Sequence, residues 1–124
     1  MFQAVLDSPG YHGGLGCFDD DGALLGFLIY NLLPPESEIE DIAVEPPRQR
    51  QGVASSLMEA YCDILEEHNC DSSYLEVRIS NLPAIRLYER FGYARTGIRK
   101  NYYPRPDGAR EDAVLMARRG KSDG

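Results

Sequence analysis

The sequence predicts an α/β fold, a mixed sheet with helices on its faces. Three observations predict it. Short alternating segments bounded by Gly, Pro and Asp clusters read as strands, two stretches with apolar spacings of three and four read as helices, and the two kinds alternate along the second half of the chain. The 124 residues, 43% of them hydrophobic, are enough for one domain with a real core.

In chain order, Phe2 to Leu6 reads as the end of a helix, broken by Ser8, Pro9 and Gly10. Leu15 to Phe18 and Ala23 to Leu33 read as strands around Asp19-Asp20-Asp21-Gly22, a strong hairpin signal. Pro34 to Ser37 turns the chain into a strand from Glu38 to Val44, which Pro46 and Pro47 stop. A helix follows, closing near Asn69, with Ala54, Leu57, Met58, Tyr61, Ile64, Leu65 and His68 on one face. Ser73 to Ile79 alternates, placing Leu75, Val77 and Ile79 on one face and Tyr74, Glu76 and Arg78 on the other. Ser80 or Asn81 caps a second helix, with Pro83 in its first turn and Gly92 past its end. Tyr93 to Tyr103 and Glu111 to Ala117 read as two final strands joined through Pro104 to Gly108. With no repeat and no long linker, residues 1–117 are expected to form a single domain and residues 118–124 a flexible tail.

The stretch before the first full helix is chemically the most informative. Arg48 to Ser56 hold two arginines and no acid in a chain of net charge −7, and that local reversal of sign suits an anion. The helix start adds unpaired backbone N–H groups and the positive end of the helix dipole, a ready phosphate site. Gly52 lets the backbone approach a ligand, and Ala54 adds little bulk. There is no Gly-Lys-Ser/Thr for a P-loop, and one glycine cannot build the three-glycine dinucleotide turn.

Composition excludes several classes. The acidic balance argues against a nucleic-acid surface and suits cationic partners such as amines or basic peptides. No apolar run reaches the roughly 18–20 residues of a membrane span, and the start lacks a basic region followed by an apolar stretch, so a soluble, cytoplasmic chain is expected. Cys17, Cys62 and Cys70 have no ligand-like spacing and read as reduced thiols. None has a histidine at a suggestive spacing, and isolated His12 and His68 form no metal pattern, so neither a Cys-His nucleophile nor a metal is expected.

Gln49-Arg50-Gln51-Gly52-Val53-Ala54 resembles the Gln/Arg-x-x-Gly-x-Gly/Ala pyrophosphate loop of the GNAT acetyltransferases, which bind acetyl-coenzyme A. Leu75-Glu76-Val77-Arg78, Ser80-Asn81, Ala84-Ile85, Leu87-Tyr88-Glu89, Phe91-Gly92-Tyr93, Arg99 to Pro104 and Asp107 to Ala113 are together similar to the RimI branch, the ribosomal-protein-alanine N-acetyltransferases. The similarity runs from about Glu40 to Ala117. It implies the GNAT fold, with a mostly antiparallel sheet. Family members have a further strand and one or more helices ahead of the position of Met1, so the chain is expected to be N-terminally truncated. A sheet edge would then be uncovered, and a homodimer or another partner is expected to cover it.

The resemblance also implies roles. Ile42, Ala43 and Val44 correspond to the strand that pairs with the pantetheine arm, with the Val44 N–H as an oxyanion donor. Arg50, Gln51, Gly52, Val53, Ala54 and Ser55 correspond to the pyrophosphate site, and Asn81 to a residue that bonds the coenzyme; a simple helix cap explains Asn81 as well. Glu76 corresponds to the catalytic base, although a solvent-facing glutamate paired with Arg78 or another cation reads equally from the residues. Tyr88 corresponds to the acid that protonates the departing thiolate, and shares a helical face with Ala84, Ile85 and Phe91, which suits a core tyrosine too. Tyr102, Tyr103 and the Asp107 to Asp112 loop resemble the hairpin that frames an acceptor peptide, where strand packing is the other explanation.

The implied reaction moves an acetyl group directly from a thioester to an amine. A protein α-amine, with a pKa of roughly 8 against roughly 10.4 for lysine, is the easier neutral nucleophile. Two readings stand. One is acetylation of a basic protein N-terminus, such as that of a ribosomal protein starting with Ala, with lysine or small amines as other acceptors. The other is an acetyl-coenzyme A-binding regulatory or assembly module without turnover.

Overall fold

The computed structural model describes residues 2–7, 12–45 and 52–120. They fall in two compact units, the first ending at Asp71 and the second starting at Ser72. Four strands and a helix make the first: β1 (Phe2–Asp7), β2 (His12–Phe18), β3 (Leu24–Leu33), β4 (Glu36–Val44) and α1 (Val53–Glu67). Each strand pairs antiparallel with the next.

The segment expected to end a helix is strand β1, with Phe2 opposite Phe18 and Asp7 opposite Gly13. Five residues are too few to display a period, and the pairing partner that decides the matter lies ten residues on. The β2–β3 hairpin forms where the acidic turn predicts it. The Asp19 carboxylate accepts from the N–H groups of Asp21 and Ala23, both at 2.9 Å, and Gly22 takes the left-handed φ of 86°.

Between Ile29 and Tyr30 the register of β3 on β4 slips by one residue, Ile29 facing Asp41 and Tyr30 facing Ile39. This bulge at Glu40 inverts the alternation of β4. Ser37 and Ile39 are buried before it, and Ile42 and Val44 are the more covered residues after it.

Helix α1 buries Val53, Leu57, Met58, Tyr61, Ile64 and Leu65. Two residues assigned to that face do not join it: Ala54 is half-buried and His68 exposed, because the stripe is anchored one residue earlier, at Val53. Tyr61 packs its ring 5.5 Å from Tyr30 and shares a 2.6 Å hydrogen bond with the Ser37 hydroxyl, which itself donates to the Asn31 carbonyl. The helix ends in a left-handed Asn69, with the Cys70 N–H reaching the Leu65 carbonyl and the Asn69 N–H that of Glu66.

The second unit contains β5 (Ser72–Arg78), α2 (Leu82–Arg90), β6 (Ala94–Pro104) and β7 (Arg110–Arg119), with β7 paired antiparallel to both β5 and β6. Leu75 and Val77 alternate into the core as expected, whereas Ile79 has left the strand and is exposed. β7 continues through Arg119, opposite Ser72, and Arg118 donates to the Phe91 carbonyl at 2.9 Å. Strand β7 therefore runs past Ala117, the expected end of the domain. Asn81 caps α2 by accepting from the Ala84 N–H. At the other end Gly92, φ 90°, lets the Tyr93 N–H reach the Tyr88 carbonyl while Gly92 donates to Glu89.

Gly13 lies opposite Tyr30 in the β2–β3 ladder, and a Cβ there would collide with the Tyr30 phenol ring. Gly13→Ala is expected to push that ring off Tyr61 and lower stability by about 1–3 kcal/mol, read from the urea midpoint.

Candidate functional site

The first group of candidate residues gathers around a glycine that the sequence reading did not single out. A Cβ on Gly26, near the start of β3, would lie 2.9 Å from the Ala43 carbonyl oxygen, 3.0 Å from a Val53 methyl and 3.2 Å from a Val44 methyl. Only a residue without a side chain lets the end of β4 and the first residue of α1 close on β3 here. An open hollow of about 350 Å³ follows, lined by Leu24 to Phe27 and Ala43 to Glu45. A glycine inside an apolar strand pattern is the signal that marks such a close approach.

Ile42 and Val44 are half-buried at the end of β4 and Ala43 is exposed between them. Gly52 is the N-cap of α1 at φ 76°, a left-handed residue with open space where a Cβ would stand. It offers no capping side chain, and the first helical bond runs from the Ser56 N–H to the Gly52 carbonyl. The amides of Val53, Ala54 and Ser55 thus have no intrahelical partner, and no acid occupies the first turn. An anion is the natural complement to that end. Ala54 and Ser55 are half-buried and Val53 is buried, so the latter contributes its backbone only. Arg50 and Gln51 lie outside the described residues.

Glu76, Tyr88 and Asn81 belong to the second unit. Glu76 stands mid-β5 with its side chain 27% exposed, and its Oε1 lies 3.0 Å from the Arg99 guanidinium on β6. Arg99 is thus the other cation that the sequence left open, while Arg78 is engaged elsewhere: 3.7 Å from Glu111, 3.2 Å from the Pro104 carbonyl, and over the Tyr103 ring at 4.6 Å. Arg99 in turn covers the Tyr102 ring at 4.9 Å. Sequence spacing cannot show either pairing, because each crosses from one strand to another.

Tyr88 is 4% exposed, its ring 5.8 Å from that of Tyr93, whose hydroxyl shares a 2.6 Å bond with buried Ser73. The cap at Gly92 and this packing together fix the phenol. Asn81 is exposed and uses its side-chain oxygen for the helix cap.

The hairpin β6–β7 carries an irregularity that aims its aromatics. Between Arg99 and Tyr103 the register slips, and Asn101 adopts φ 51°. Its N–H donates to the Asp112 carboxylate at 2.9 Å, and Arg110 donates to the carbonyls of Asn101 and Tyr102 at 2.8 and 2.9 Å. Tyr103 has its phenol pKa raised, chiefly by burial and then by the nearby Glu76 charge.

Burial likewise raises the thiol pKa values of Cys17 and Cys70, which disfavours thiolate chemistry at either. Among the described residues no cluster of three His, Cys, Asp or Glu is placed to hold a metal, and no helix is long and apolar enough to cross a membrane.

Gly52→Ala meets no steric obstacle but must hold a left-handed backbone, so a loss of about 1–2 kcal/mol is expected in urea unfolding. The Ser80 hydroxyl, donating at 2.7 Å, holds the Glu111 carboxyl below the usual carboxylate range, with the Ser80 N–H, Arg78 and Arg105 assisting. That interaction favours the fold above the ordinary carboxylate pKa and is lost as pH falls through the lowered one. Ser80→Ala should therefore raise the Glu111 pKa, read by carboxyl carbon NMR titration.

Residues 2–93 match the model of the acetyltransferase (GNAT) family. A [ribosomal protein bS18]-alanine N-acetyltransferase of Escherichia coli (strain K12) is 44% identical over 97 residues, 78% of this chain and 65% of that protein. Its counterpart in Haemophilus ducreyi is 40% identical over 100 residues, 81% and 69% of the two chains. The solved structure of an Escherichia coli ribosomal-protein-alanine N-acetyltransferase matches 95% of this chain and 74% of its own, with a TM-score of 0.82 and 39% identity. Ard1 from Thermoplasma volcanium matches 90% and 72%, at 0.75 and 31%. The chain thus spans just under two thirds of the Escherichia coli (strain K12) relative's length. With the family model covering most of its residues and the same arrangement of strands and helices, the chain belongs to the GNAT acetyltransferase family and has its mixed, mostly antiparallel α/β fold.

Proposed function

We propose that the chain acetylates the N-terminal α-amine of a protein, taking the acetyl group from acetyl-coenzyme A. The observation that carries this reading is the meeting of the β4 end with the uncapped start of α1 around Gly26. It presents a strand end beside a cluster of backbone donors, which suits an extended arm ending in a pyrophosphate. The candidate donor set of the first unit is backbone amide in character, from Gly52 to Ser55 beside Ile42 to Val44, with Arg50 and Gln51 adjoining in sequence. Bound acetyl-coenzyme A supplies the activated acetyl thioester.

Glu76 takes the proton from the attacking amine, directly or through one water, and Tyr88 gives the proton that the departing sulfur requires. A phenol with an ordinary pKa of about 10 is protonated at neutral pH, as a proton donor must be. The half-exposed Glu76 is reachable from solvent. Tyr88, by contrast, is held at one position by the α2 cap and Tyr93, which suits a donor that must meet a single atom.

The acceptor follows from the relatives' names and from charge. Those proteins are named for the alanine of ribosomal protein bS18. Ribosomal proteins are basic while this chain carries −7, so encounter is electrostatically favoured and weakens with salt. A carboxylate base suits an α-amine better than a lysine, whose deprotonation costs about two further pKa units, or roughly 3 kcal/mol. A cytoplasmic setting fits such an acceptor.

Titration calorimetry with acetyl-coenzyme A is expected to show binding that Gly52→Asp abolishes; equal affinities would reject the assigned loop. Glu76→Gln and Tyr88→Phe should each slow turnover roughly 10²- to 10⁴-fold with the fold retained by circular dichroism. Offered an Ala-initiated peptide, the same peptide N-terminally blocked with an internal Lys, and a polyamine, the enzyme should prefer the first. Cofactor binding without transfer to any of the three would point instead to a regulatory binding module.

A further inference from the structure

The contact between Arg99 and Glu76 is an unusual one for the register of the sheet. Directly opposite residues share a face, so Glu76 lies in one row with Leu115 and Gly97, and Arg78 in the next with Ala113 and Arg99. Arg99 therefore reaches Glu76 diagonally across the whole of β7. Two small residues leave that lane open: Gly97 has no side chain in the row of Glu76, and Ala113 is fully buried between the two arginines. Arg78, nearer along its own strand, is drawn away by Glu111 and Tyr103.

The backbone next to Arg99 is braced on the far side. Asn101 is locked left-handed by Asp112 and Arg110, and the Tyr102 carbonyl takes a second Arg110 hydrogen bond. The Tyr102 ring thus meets the Arg99 guanidinium at 4.9 Å. The pair itself is not buried, the side chains of Arg99 and Glu76 being 53% and 27% exposed. Ion pairs of that exposure contribute at most about 1 kcal/mol, so a competing cation can exchange with this one.

We propose that Arg99 is a displaceable counter-ion of Glu76, and that the acceptor's ammonium group takes its place on the carboxylate. This rests on the reading of Glu76 as the base. The exchange keeps the carboxylate paired throughout: one cation leaves as another arrives, and the Tyr102 ring remains as an aromatic face for either. The transfer then breaks one N–H bond of the ammonium and forms an O–H bond on Glu76, either directly or through a water that takes the ammonium proton as it hands one of its own to the carboxylate. The nitrogen keeps the electron pair it needs for attack. Arg99 thereby sets a threshold that only a cationic acceptor overcomes, since a neutral group cannot replace a guanidinium on a carboxylate.

The test is calorimetric binding of an Ala-initiated peptide, with coenzyme A saturating, to wild type, R99M, R99Q, R99K, E76Q and the R99M/E76Q double variant. Loss of the competing charge in R99M and in R99Q should tighten binding about 2- to 5-fold, the range set by a pair of this exposure. R99K should stay near wild type, and R99M should change nothing in the E76Q background, because the effect runs through that carboxylate. Unchanged or weaker binding in R99M and R99Q would overturn the proposal. So would equal tightening with and without Glu76, which would report a general change of field. Failure of the base assignment is separate: undiminished turnover in E76Q rejects Glu76 as base, whereas the affinities alone decide the role of Arg99.

Discussion

The close approach at Gly26 is the constraint on which the first unit's candidate site depends. Three atoms from β4 and α1 crowd the point where a side chain would begin. An alanine there would force at least one of them back by several tenths of an ångström, in an interior that does not deform continuously. The Ala43 carbonyl is backbone and cannot turn aside as the Val44 and Val53 methyls can. The glycine therefore fixes the gap between a strand end and a helix start. The Glu40 bulge then decides which residues face which way in that gap, and the two irregularities act on the same few residues, Ile42 to Val44.

The second unit holds its chemistry with charge rather than close approach. One face of β5, β7 and β6 carries Glu76, Arg78, Glu111 and Arg99 in alternating partnership, with Tyr102 and Tyr103 stacked under the two guanidiniums. Each cation is shared between a carboxylate and an aromatic ring, which orients both at little conformational cost. Tyr88 is set differently. Its carbonyl closes the α2 cap, its ring packs on Tyr93, and Tyr93 is tied to Ser73. A part-exposed carboxylate and a buried phenol are suited to different tasks.

The cores of the two units explain why these features hold. Among the described residues no buried side-chain oxygen or nitrogen lacks a partner, and the two fully buried serines each meet a tyrosine hydroxyl. Ser37 with Tyr61 ties β4 to α1, and Ser73 with Tyr93 ties β5 to the segment entering β6. Buried hydroxyl pairs of this kind specify register as well as stability, since any slip leaves both groups without partners.

The sequence by itself determined what depends on neighbours in the chain. The Asp19 to Gly22 turn, the Asn81 cap, Pro83 and Gly92 act over four or fewer residues, and each lies where spacing and residue type predict; the α1 stripe repeats at spacings of three and four and was legible but for its two ends, Ala54 and His68. The family resemblance was legible for the same reason, since its motifs are short runs around Gly52, Glu76 and Tyr88. What only the tertiary structure decided involves residues far apart in the chain: Phe2 to Asp7 as a strand on β2, the register slip at Glu40, the role of Gly26, and Arg99 rather than Arg78 as the partner of Glu76. A strand acquires its identity from the strand it pairs with, and an ion pair across three strands is a property of register. Neither is encoded in any local window of residues.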